Sequence, residues 1–141
     1  MLYNLSLLGP DYFQQAMKLE AERERPGRPV IFVVVSDDLA WAQQHMAVPG
    51  FSVAFLGNTA GGQQAVGEDL ALLAACNHSI ISYGTFGMWG ALLAGGRVTI
   101  SQTAAKTKDH TININIVCFS GELRLLLPVL VLVSVDTVIL Y

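Results

Sequence analysis

The sequence predicts an α/β fold, a parallel sheet with helices on both faces. Three observations predict it. Short apolar runs alternate with helical patterns along residues 11–100, the order of a sheet wound by right-handed crossovers. The first run, Val30-Ile31-Phe32-Val33-Val34-Val35, is apolar without a break, as strands buried on both faces are. Composition agrees, with 52% of the 141 residues hydrophobic and 13% charged, more apolar than an average soluble domain. The expected architecture is Rossmann-like.

The elements follow in order. Residues 11–25 predict a helix, because Phe13, Ala16, Met17 and Ala21 share one stripe with charges opposite, and Pro26-Gly27 stops it. After the first strand Ser36 sits where an N-cap belongs, and Asp37 and Asp38 place acids in a first turn. Leu39, Ala42 and Met46 continue at helical spacing until Pro49-Gly50. Residues 51–56 predict a second strand, and a loop rich in Gly and Asn at 57–62 leads to a helix over about 67–76. Residues 79–83 predict a third strand, Gly84-Thr85-Phe86-Gly87 a tight turn, and 88–94 a short buried helix. Gly95-Gly96 ends that helix, and Val98-Thr99-Ile100 begins a fourth strand.

Beyond residue 100 the alternation fades. Residues 101–109 are polar and turn-like, 111–119 have strand character, and 125–127 and 129–135 have strand composition with no turn to place them. The organisation predicted is therefore a Rossmann-like unit over 1–100 and a divergent apolar tail over 101–141.

Several function classes are disfavoured. A formal net charge of −3 and the lack of any Lys/Arg cluster give no footprint for nucleic acid. Cys76 and Cys118 lack metal-ligand spacing and read as small buried hydrophobes. His45, His78 and His110 assemble no zinc pattern or hydrolase triad, so no metal is expected. Trp41 and Trp89 read as core packing. Arg124, Pro128 and Asp136 interrupt the apolar stretch at 123–141 below bilayer-spanning length, and no signal or anchor pattern opens the chain. Sequons stand at Asn4 and Asn77, the latter before a buried strand and so not expected to carry glycan.

Ligands of an open parallel sheet bind beyond the carboxyl ends of its strands, near helix N-termini. Connectivity brings Ser36-Asp37-Asp38, the loop ending at Glu68-Asp69, and Gly84-Thr85-Phe86-Gly87 to that edge. The glycine turn exposes amides that, with the Thr85 hydroxyl, suit a phosphate, although a plain strand-to-helix turn has the same pattern. Asp69 either caps a helix or accepts two parallel N–H donors from a guanine edge, a pair adenine does not offer. Asp37 and Asp38 are read first as helix-dipole acids.

One stretch is specific enough to carry a resemblance. Glu68-Asp69-Leu70-Ala71-Leu72-Leu73, then Cys76-Asn77-His78-Ser79-Ile80, then Gly84-Thr85-Phe86-Gly87-Met88-Trp89 resembles the galactoside α-1,2-fucosyltransferases of glycosyltransferase family 11. Val33-Val34-Val35-Ser36-Asp37-Asp38 before Trp41, and the helix from Pro10 to Met17, are similar to the same family, so the likeness runs from about residue 9 to residue 99. It implies the C-terminal, nucleotide-binding half of a GT-B-type enzyme that moves fucose from GDP-fucose to the 2-hydroxyl of a β-galactoside, with inversion and without a metal or other cofactor. By the resemblance Asp69 contacts guanine, Thr85, Phe86 and Gly87 line the diphosphate, and Ser36 and Asp37 lie beside the same pocket. It also implies the lumenal side of the Golgi membrane, reached through a family anchor that this sequence does not display. The departures are a basic His-x-Arg-Arg-x-Asp run with no match before Leu8, Ala65-Val66 in place of Ser-Pro, and Trp89-Gly90-Ala91-Leu92-Leu93 in place of Trp-Ala-Ala-Tyr-Leu. They imply a fragment with weakened phosphate binding.

Overall fold

A computed structural model describes residues 8–57, 63–82, 84–102, 113–118 and 129–135. The sequon at Asn4, His110, the loop at 58–62 and the run at 125–127 lie outside them. In chain order the elements are α1 (Pro10–Arg23), β1 (Val30–Ser36), α2 (Leu39–Met46), β2 (Ser52–Phe55), α3 (Gln63–Ala75), β3 (His78–Ile81), α4 (Thr85–Ala94), β4 (Arg97–Gln102), β5 (Asn113–Cys118) and β6 (Val129–Val135). The strands form one sheet in the order β2-β1-β6-β3-β4-β5. Every neighbouring pair is parallel except β4 with β5. The fold is thus the expected α/β, Rossmann-like arrangement.

The sheet gains two strands that sequence patterning left unplaced. β5 closes the outer edge against β4 from Arg97↔Cys118 to Gln102↔Asn113. β6 enters the middle of the sheet, pairing with all seven residues of β1 and with His78 to Ile81 of β3. Its sequence, VLVLVSV, suits a position between two other strands.

Alternation along β1 divides the core. Phe32 and Val34 pack with Tyr12, Phe13, Ala16 and Met17 of α1 and Ala42 and Met46 of α2. Val33 and Val35 face the other way, onto Leu73 of α3 and Cys76 just beyond its end, with Phe86 of α4 against them. A strand's period of two produces this division, and it puts α1 and α2 on one face and α3 and α4 on the other.

Small residues seat α4. Gly87, Gly90 and Ala91 are buried, whereas Met88, Trp89, Leu92 and Leu93 point outward and are each about half exposed or more. The expectation of a buried helix with Trp89 in the core is corrected here: backbone rather than bulk meets the sheet. A Cβ on Gly90 would lie 2.6 Å from Leu73 Cδ1 and 2.7 Å from its Cβ. Gly90→Ala is therefore expected to push α3 and α4 apart and lower stability by about 1–3 kcal/mol, read as an earlier urea midpoint with an unchanged slope.

One carboxylate breaks the apolar stripe of α1. Glu20 is fully buried, four residues along from Ala16, contrary to the expected segregation of charge. Its Oε1 accepts from Thr99 Oγ1 at 2.7 Å, and its Oε2 accepts from Arg97 Nε at 3.2 Å and Nη2 at 3.1 Å. Arg97 Nη2 also donates to Glu24 Oε1, which in turn lies 3.3 Å from His78 Nε2. The cluster ties the C-terminal part of α1 to the starts of β3 and β4.

His78 takes part in it as a neutral ring. Its Nδ1 accepts from Arg97 N at 3.1 Å, so Nε2 carries the proton that faces Glu24. Burial, reinforced by the charge on Arg97, holds its pKa below the ordinary value of 6.5, while Glu20 and Glu24 pull the other way. The unfolded chain then takes up this proton more readily than the folded one. His78's contribution is present in full above about pH 6.5 and is lost as pH falls through the lowered folded value. Urea midpoints measured from pH 8 down to 5.5 are expected to decline below about 6.5, and His78→Gln is expected to flatten that decline.

Candidate functional site at the strand carboxyl edge

The parallel strands end at Ser36, Phe55, Ile81, Gln102 and Val135 on one edge of the sheet. Chain direction reverses there: β1 leads outward through α2 to β2, and β3 leads the opposite way through α4 to β4. Such a switch point opens a crevice between diverging loops. Its width is set by β6, since β1 and β3 stand two strand spacings apart, about 10 Å.

Ser36 closes β1 at this crevice, paired in register with Val135 of β6. Its Oγ accepts from Asp38 N at 3.0 Å, and Asp38 Oδ1 accepts from Trp41 N at 2.9 Å. The N-cap of α2 is therefore Asp38, not Ser36 as the sequence suggested, because two residues are needed to turn from strand into helix. The bond leaves the Ser36 hydroxyl proton available to donate. Asp37, between the two, is exposed. Downstream Trp41 stacks on His45 with centroids 4.6 Å apart and meets Phe13 edge-on, so it is half-buried rather than a platform in the crevice.

The other wall is the start of α4. Helix begins at Thr85, so Thr85, Phe86 and Gly87 form its first turn rather than the separate tight turn expected. Gly84 precedes it at φ 135°, ψ 155°, a conformation close to glycine-only, and no side chain caps the helix. The first-turn amides consequently face the edge without a side-chain acceptor. Thr85 is exposed there, while Phe86 packs beside Val33 and Val35 and draws this turn toward β1. Gly87 is buried. On the opposite face Tyr12 Oη donates toward the carbonyls of Ile81 at 2.8 Å and Thr99 at 3.2 Å, fixing the start of α1 over the ends of β3 and β4.

Asp69 sits elsewhere than expected. α3 starts at Gln63, so Asp69 lies six residues further along, about 9 Å down the helix axis, and does not open the helix. Gly67 had suggested a start, but it lies inside the helix. Asp69 is half-buried and shares a stripe with Ala65 and Leu73, both buried. The structure thus gathers Ser36, Asp37, Thr85 and Phe86 at one crevice, with Gly87 beneath it and Asp69 deeper on the inward side of α3. An open groove lined by Gln14, Lys18, Val48 and Phe51 lies near the start of β2, away from this crevice. Among the described residues no His, Cys, Asp or Glu cluster is built to hold a metal.

Comparison with known proteins adds identity to this geometry. The sequence model of Glycosyl transferase family 11 matches residues 8–120. Galactoside 2-alpha-L-fucosyltransferase Sec1 of Mus musculus is 46% identical over 85 residues, 60% of this chain and 22% of that protein. Galactoside alpha-(1,2)-fucosyltransferase 2 of Pongo pygmaeus is 46% identical over 85 residues, covering 60% of this chain and 23% of its own length. Galactoside alpha-(1,2)-fucosyltransferase 1 of Mus musculus is 42% identical over the same number of residues and 21% of its length. The chain therefore spans about a fifth of the relatives it matches. No solved structure matches.

Proposed function

The chain belongs to glycosyl transferase family 11, and on that premise we propose that it forms the donor-binding half of a galactoside 2-α-L-fucosyltransferase, with GDP-fucose as donor. The observation that carries the reading is the crevice at the switch point, where an uncapped helix start faces the end of β1. A diphosphate fits such a place because unpaired amides and the helix dipole favour negative charge. Thr85 and the first-turn amides from Phe86 and Gly87 hold it from one wall. The Ser36 hydroxyl donates from the other, and Asp37 meets polar groups at the rim. Asp69 accepts the guanine N1–H and N2–H pair.

The transfer proceeds by attack of a galactose O2 on fucose C1 from the side opposite GDP. The C1–O bond to the diphosphate breaks, the configuration inverts, GDP leaves with the bonding pair, and the O2 hydroxyl gives up its proton to a general base or to water. Without a metal, amide dipoles and hydroxyl donors stabilise the leaving diphosphate. The acceptor is a β-galactoside glycan and the setting the Golgi lumen. Among the described residues no helix is long and apolar enough to cross a membrane.

Donor binding by this stretch, which spans about a fifth of its relatives, and transfer by a whole enzyme are two separable readings. Calorimetric titration with GDP-fucose, with ADP-glucose as control, tests the first reading, and a fucosyl-transfer assay separates the two. Saturable binding of GDP-fucose alone is expected. Equal response to both nucleotides, or none from a chain shown to be folded, would sink the donor assignment.

A further inference from the structure

We propose that the outer face of α3 and α4 is a two-fold interface through which a second copy of this chain docks. The inference starts from what the two helix layers present to solvent. On α1 the exposed positions carry charge, at Asp11, Lys18, Glu22 and Arg23, as is ordinary for a helix that faces water. α4, of sequence TFGMWGALLA, carries none along its whole length. Its outward stripe is Met88, Trp89, Leu92 and Leu93, exposed by 62, 59, 49 and 56%. Scattered apolar side chains on a surface call for no explanation, but four large ones side by side on one helix mark a contact face.

What lies beside that ridge selects the occupant. Gly90 of α4 lies against Leu73 of α3, so the two helices are neighbours. The outward stripe of α3 is Gly67, Ala71 and Ala75, four residues apart, all exposed and all short. A Cβ added to Gly67 would meet nothing within 4 Å. A ridge of large residues thus stands next to a shallow strip of small ones. Turned about a two-fold axis, the ridge of one copy lies on the strip of the other, and the same contact is made twice, as an isologous interface requires.

Charge and area agree with a second copy. A surface can be its own partner only if it does not repel itself. Among the described side chains of α3 and α4, Glu68 alone is both charged and exposed. Ridge and strip together offer roughly 700 Å² per copy, close to the ~800 Å² that each partner contributes to a standard interface. Trp89 is also the residue type that most often dominates such contacts.

Sedimentation velocity of the full chain over about 1–100 μM tests the proposal, with Trp89→Glu and Ala71→Glu beside the parent. Both positions are exposed, so each variant is expected to keep the parental far-ultraviolet circular dichroism and a cooperative urea transition. The parent is expected to sediment as a dimer in the upper part of the range, and each variant to self-associate at least about tenfold more weakly. Leu93→Gln, a milder change on the same ridge, replaces Trp89→Glu if that variant unfolds. A parent that stays monomeric throughout overturns the proposal and leaves the face to a different polypeptide. Open-ended association overturns it too, since a two-fold contact closes on itself. A dimer that survives the ridge substitution removes α4 from the interface, and one that survives Ala71→Glu alone overturns the pairing of ridge with strip.

Discussion

Arg97→Ala is expected to remove about 3–5 kcal/mol of stability, the loss that follows when one partner of a buried ion pair is deleted. The reason lies in what remains. Glu20 is fully buried and Glu24 nearly so, and Arg97 is the cation that bonds both. Burial alone would lower the Arg97 pKa, but its hydrogen bonds and charge pairing with Glu24 and Glu20 raise it, so the guanidinium stays charged at any working pH. Without it, two carboxylates one turn apart on α1 and its C-cap are left together, Glu20 with Thr99 and Glu24 with Arg28 at 3.5 Å and His78 at 3.3 Å. Such a loss is a large share of a typical domain's stability. Urea unfolding provides the measurement. Arg97→Met combined with Glu20→Met is expected to unfold later than Arg97→Ala alone, because the fully buried carboxylate goes with its cation while Glu24 keeps Arg28. An Arg97→Ala midpoint equal to the parent's would show that the cluster is solvated and contributes nothing.

That cluster was not legible in the sequence, and the reason is separation. Glu20 and Arg97 are 77 residues apart, and no local pattern joins them. Helical spacing did hint at it, since position 20 continues the stripe of Ala16 and Met17, but a charge there reads more readily as surface. What local chemistry dictates was legible: the β1 run, the α1 stripe, and helices ending at Pro and Gly. Placement of β6 was not, because seven apolar residues suit any buried strand and only the empty place between β1 and β3 selects one. The exposure of Trp89 was hidden for a related reason. Hydrophobicity suggested burial, whereas the glycines at 87 and 90 decide which side of α4 touches the protein. At the crevice, strand order alone gathered Ser36, Asp37, Thr85 and Phe86. The position of Asp69 depended on where α3 begins, and Gln63 and Gln64 carry no start signal.

The depth of Asp69 shapes the largest functional effect expected. A half-buried carboxylate on the inward stripe of α3 is shielded from bulk water more than a first-turn acid would be. Its hydrogen bonds to a guanine edge are then charge-assisted and partly desolvated, contributing about 1.5–3 kcal/mol. Asp69→Ala is accordingly expected to weaken GDP-fucose binding by about 10- to 100-fold and to bring it level with ADP-glucose, since selectivity resides in that one pair of acceptors. Asp69→Asn discriminates further. An amide keeps the shape and one acceptor but presents a donor toward the guanine N–H groups, so it is expected to bind no better than alanine. Thermal unfolding of the same variants separates this role from a structural one: near-parental midpoints with lost guanine preference mark a ligand contact. If Asp69→Ala keeps full affinity and selectivity for GDP-fucose, guanine is read elsewhere at the crevice, and the assignment of Asp69 falls while that of the α4 start stands.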